Sequence, residues 1–160
     1  MNLVKAIPLA AATLFAAGMA TVSIAEDAPV LALSGGASES KGALSAQAAN
    51  DFVVDFMPGQ TDVAGVNFDV VFDFGDMNKR GGNVVISDCG GSVSGSHAAR
   101  CEMVAPNRLR VLVFSAPVSE LPASSLVSFN VRGNVRSVRI DTESAAVSDL
   151  SGGIIQAEVL

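Results

Sequence analysis

His97 is the only histidine among the 160 residues, so any imidazole acid–base or metal chemistry has to use it. It stands beside Ser94 and Ser96 in a Ser/Gly segment. A nucleophilic serine needs a base within hydrogen-bond reach. Adjacent residues of an extended segment point apart, which argues against pairing Ser96 with His97, and no G-x-S-x-G elbow is present. The expectation is a solvated loop histidine. Asp69 and Asp73 are the next candidates, since two carboxylates held across a substrate can cleave a glycoside. They share one strand face two pleats apart, however, and Arg108 and Arg110 are available across the sheet to pair with them. Asp73, Asp76 and Asn78 offer hard oxygen ligands at close spacing, and Asp149 with Ser151 offers a weaker set. Both lack the alternation and closing Glu of an EF-hand, and turn-forming Asp and Asn account for them without a metal. The sequence therefore predicts no catalytic residues, no enzyme activity and no cofactor. Asp73, Asp76 and Asn78 stay as weak calcium candidates.

Cys89 and Cys101 enclose the segment GGSVSGSHAAR. They lack C-x-x-C spacing or accompanying ligands, which argues against a redox or metal pair. In an exported chain they are expected to form a structural disulfide. Export is expected from residues 1–25. Lys5 supplies a positive start, a small-residue apolar run follows, and Ser23-Ile24-Ala25 fits a small-x-small cleavage site ahead of Glu26. The product is expected to be secreted or periplasmic, with no membrane attachment after signal removal.

Residues 26–160 then suit one domain. Lys5 leaves with the signal, so nine basic residues face sixteen acidic ones, a net charge of −7. Such a chain is repelled by nucleic acid and by anionic membrane surfaces, which removes both partner classes.

The elements that position these residues are short strands. Val66, Phe68, Val70, Phe72 and Phe74 alternate with Asn67, Asp69, Val71 and Asp73, the period of a strand with one wet face. Leu109, Val111 and Val113 alternate with Arg108, Arg110 and Leu112. Val127, Phe129 and Val131 alternate with Ser128, Asn130 and Arg132. Further strands are expected over Val30–Leu33, Phe52–Phe56, Asn83–Ser87, Ala98–Val104, Arg136–Ile140 and Ile154–Val159. Residues 34–48 are expected as loop with a weak helical turn over 41–49, 75–82 as a turn, and Ser148–Gly153 as another. The fold class is all-β: a single β-sandwich or jelly roll of eight or nine mostly antiparallel strands. The core is expected to contain Phe52, Phe68, Phe72, Val111, Val113 and Phe129.

Read in order, Asp62-Val63-Ala64-Gly65-Val66-Asn67-Phe68-Asp69-Val70, the strand Arg108–Ser115, the segment from Leu121-Pro122 through Phe129-Asn130-Val131, and Ala146–Ile154 resemble the conserved stretches of a cohesin domain. That family lies within the carbohydrate-binding-domain-like sandwiches. Phe72-Asp73-Phe74 replaces the usual Tyr-Asp-Pro, and the loop between the cysteines is additional, so the chain resembles a divergent, free-standing member. The resemblance implies a protein-binding module, its partner dockerin-like or another exported protein. The face carrying Asn67, Asp69, Val71, Asp73, Arg108, Arg110 and Leu112 is the expected patch, with Val71 and Leu112 as its apolar centre and the charges as its rim. The alternative is a polysaccharide-associated domain. With no Trp and no Tyr in the chain, stacking platforms for sugar rings are missing.

Overall fold

The computed structural model describes residues 28–37, 50–74, 82–133 and 135–160. The expected signal segment, the helical turn over 41–49 and the turn carrying Asp76 and Asn78 lie outside the described residues. Within them the chain forms eleven strands and no helix: β1 (Val30–Ala37), β2 (Asn50–Met57), β3 (Val63–Asp73), β4 (Asn83–Cys89), β5 (His97–Ala105), β6 (Arg108–Ser115), β7 (Ser124–Arg132), β8 (Ser137–Ile140), β9 (Ala146–Asp149), β10 (Ile154–Gln156) and β11 (Glu158–Val159). Sheet A runs β11-β1-β2-β7-β4. Sheet B runs β10-β9-β3-β6-β5, with β8 added beside β3. All pairings are antiparallel except β1 with β11.

The alternation read from the sequence is what packs the two sheets together. In β6 the buried residues are Leu109, Val111 and Val113, while Arg110, Leu112 and Phe114 point out. In β3 the inward residues Val66, Phe68, Val70 and Phe72 are each at most 2% exposed. Phe72 of sheet B meets Phe129 of sheet A edge to face at 5.5 Å between ring centroids, a favoured aromatic geometry that pins the sheets across the core. Phe52 departs from expectation. It stacks on Phe129 within sheet A but is only partly buried, packing against the core near the end of its strand.

Three further differences have local causes. First, β1 continues to Ala37, beyond the expected Leu33, because β2 pairs with it throughout, from Val30↔Met57 to Ala37↔Asn50. Ala146–Asp149, expected partly as turn, is a strand, since β3 supplies its partner at Val66↔Val147. The expected final strand splits at Ala157, whose N–H bonds Ala145 O, whereas the next N–H, of Glu158, bonds Pro29 O. The chain thus leaves sheet B and enters sheet A within one residue. On the opposite side, Cys89 and Cys101 form a disulfide with 5.9 Å between Cα atoms. It ties β4, the edge of sheet A, to β5, the edge of sheet B.

Candidate functional site

The outer face of sheet B collects the residues singled out in the sequence. Register sets Asn67 opposite Leu112, Asp69 opposite Arg110 and Val71 opposite Arg108. Asn67, Asp73, Arg110 and Leu112 are exposed, and Val71 and Arg108 are half-buried.

Asp69 is the exception, at 1% exposure. It was expected as a solvated rim charge. Instead Arg110 donates through Nε to Oδ1 at 2.8 Å and through Nη2 to Oδ2 at 3.0 Å, and Arg108 Nη1 donates to Oδ2 at 2.9 Å. Arg108 Nη1 also donates to Asp141 Oδ2 at 2.9 Å. The connection between β8 and β9 runs along the edge of β3 beside Asp69. Asp141 N–H bonds Asp69 O at 2.8 Å, and Asp69 N–H bonds Ser144 Oγ at the same distance. The Arg110 hydrogen bonds, opposed by burial and aided by Arg108, hold the Asp69 carboxyl below its ordinary value of 3.8. A carboxylate so engaged is neither a proton carrier nor a free acceptor. Its role is to fix two arginines, which keep part of their surface in solvent.

Beside this charged half lies an apolar one. Gly65 of β3 follows a bulge at Ala64 and has no side chain to raise the sheet surface. A Cβ there would sit 2.8 Å from Val113 O and 3.0 Å from Ser148 Oγ, so the close packing of three strands requires glycine. Leu112, Phe114 and Val118 stand on one side of this low point, and Leu150 and Ile154 on the other. Together they bound a groove of about 390 Å³. Ile154 is 82% and Val118 65% exposed. Of the expected apolar pair, Leu112 lines the groove, whereas Val71 lies opposite Arg108 and Arg139. Phe114 was legible, being two residues beyond Leu112 in the same strand. Leu150 and Ile154 were not, because their place depends on which strand β10 joins.

The remaining candidates are elsewhere. Asp149 Oδ1 accepts hydrogen bonds from Ser151 N–H, Ser151 Oγ–H and Gly153 N–H, at 2.8, 2.6 and 2.7 Å. That oxygen is occupied in making the turn. Among the described residues no three His, Cys, Asp or Glu side chains gather as a metal site. His97 opens β5 at the end of the sheet, opposite Ser115.

No family model and no curated protein sequence matches the chain. Solved structures do. The second type II cohesin module of an adaptor scaffoldin from Acetivibrio cellulolyticus superposes with a TM-score of 0.54 at 12% identity, over 83% of this chain and 86% of that one. The cohesin module of a family 33 glycoside hydrolase from Clostridium perfringens gives 0.51 at 16% identity, over 81% and 90%. The chain matched in a type II cohesin–X-dockerin complex from A. cellulolyticus gives 0.53 at 8%, over 82% and 93%. At these identities the likeness is one of fold. The chain has the β-sandwich fold of cohesin modules.

Proposed function

We propose that this chain is an exported, non-catalytic module that binds a protein partner on the outer face of sheet B. The observation that carries the reading is the division of that face into an apolar groove and a fixed charged cluster side by side. Burial of apolar side chains in such a groove provides most of an interface's affinity, while rim charges guide orientation and association rate. Leu112, Phe114 and Ile154 form the apolar contact. Arg108, Arg110, Asn67 and Asp73 form the rim, Val71 lies opposite Arg108 on one side and Arg139 on the other, and Asp69 holds Arg108 and Arg110. The fold supports the same reading, since a structural neighbour was solved as a cohesin–dockerin complex. The partner proposed is dockerin-like or another exported protein.

The test is capture from the source organism's culture medium by immobilised wild type and Leu112→Asp protein, with a glycan array run in parallel. Wild type retains a protein that Leu112→Asp does not, while both melt at the same temperature. Equal retention by both would place the partner on another face. Micromolar binding of an oligosaccharide by the wild type would favour the polysaccharide alternative. Export is checked separately: the intact mass of the exported protein corresponds to a chain starting at Glu26.

A further inference from the structure

The groups around His97 form a directed hydrogen-bond chain. Nε2 lies 3.2 Å from the carbonyl oxygen of Ser119, which only accepts, so Nε2 carries the proton and donates it. Nδ1 is left with its lone pair facing Ser94 Oγ at 2.8 Å and Ser96 Oγ at 3.2 Å. Ser119 Oγ–H donates to Ser96 Oγ at 3.1 Å, and Ser96 Oγ is 3.1 Å from Ser94 Oγ. Two hydroxyls therefore reach one imidazole nitrogen, Ser94 the nearer, with Ser119 Oγ standing behind Ser96. The sequence set aside Ser96 and His97 because extended neighbours diverge. The segment is in fact a turn closed by His97 N–H to Ser94 O at 2.9 Å, which brings together residues three apart.

This arrangement is held from both ends. Cys89–Cys101 anchors the base of the loop, and Ser115 fixes the carbonyl side, donating from Oγ to Ser119 O at 3.3 Å and accepting from Ser119 N–H at 3.0 Å. Nucleophile, base and orienting acceptor are thus in hydrogen-bonded order, the arrangement that activates a serine.

We infer that Ser94 is a reactive serine, activated by His97, that accepts an acyl group from an activated ester. As Ser94 Oγ attacks the carbonyl carbon, its proton passes to His97 Nδ1, the imidazolium being steadied by the Ser119 carbonyl. The new Oγ–C bond replaces the ester C–O bond, the alcohol or phenolate leaves, and His97 returns its proton to solvent or leaving group. No oxidant or metal enters the balance. The reaction is stoichiometric, one acyl group per chain.

p-Nitrophenyl acetate is the probe, applied to the intact protein and followed by peptide mass spectrometry. One equivalent of p-nitrophenolate is released per chain, and acetyl accumulates on Ser94 ahead of the exposed Ser92 and Ser137. Ser94→Ala removes the fast phase of the release. His97→Gln slows acetylation of Ser94 roughly 100-fold, the scale of lost general-base assistance, without lowering the melting temperature. Three results would each overturn the inference: Ser94 reacting no faster than Ser92 and Ser137, His97→Gln acetylating at the wild-type rate, or Ser94→Ala releasing p-nitrophenolate as before through acylation of His97 itself.

Discussion

Asp69 owes both its charge and its burial to neighbours that are distant in sequence. Its lowered carboxyl means that the unfolded chain takes up a proton at a higher pH than the folded one does. Stability contributed by Asp69 is therefore fully present above the ordinary value of 3.8 and is lost as pH falls below it. Melting temperature measured from pH 5 down to pH 2.5 should fall for the wild type and fall less steeply for Asp69→Asn. Asp69→Ala, which leaves Arg108 and Arg110 without their common acceptor, should cost roughly 1–3 kcal/mol at pH 7 in urea unfolding. The pairing of Asp69 with Arg110 was legible, because two alternating strands with opposite charges on one face fall into that register. Its burial was not. Arg108 and Arg110 engage the carboxylate and the residues 141–145 connection lies along the free edge of β3 beside it, and nothing in the β3 pattern announces that segment.

At the level of elements, β3 is the strand whose failure should be felt most. It is central in sheet B, with β6 along one edge and β8 and β9 sharing the other. Phe68→Ala, removing a ring with no solvent exposure, should destabilise by about 3–5 kcal/mol in chemical unfolding. A change below about 1 kcal/mol would mean that the site can collapse around the loss. The edge strands depend on the disulfide instead. Its sequence separation of 12 closes a modest loop, so Cys89→Ser with Cys101→Ser should lower stability by up to about 3 kcal/mol. Mass spectrometry of the native protein should show a gain of two hydrogens on reduction. Strand period made β2, β3, β6 and β7 readable, since their apolar residues recur at every second position. The last three strands were harder. Ile154–Val159 contains one uninterrupted run, yet Ala157 belongs to neither strand, and only the positions of β9 and β1 decide where the run divides.

Across the whole molecule, one core serves both sheets, so the thermal unfolding of the described domain should be a single transition, with circular dichroism and calorimetry giving the same midpoint. The two lateral sides of the sandwich are closed differently, one by the disulfide and the other by the chain crossing from β10 to β11. That crossing makes β1 and β11 parallel neighbours, joined by Glu158 N–H to Pro29 O, Leu160 N–H to Leu31 O and Leu33 N–H to Leu160 O at 2.9–3.1 Å. Because the strands point the same way, tension applied through Pro29 and Leu160 runs along both of them and across their hydrogen bonds. The bonds are then strained together in shear and must break as a group. Tension directed across the strands would open them one after another, at a much lower force. Resistance to stretching in this molecule therefore depends on the direction of the pull, and it is greatest along the line joining those two residues.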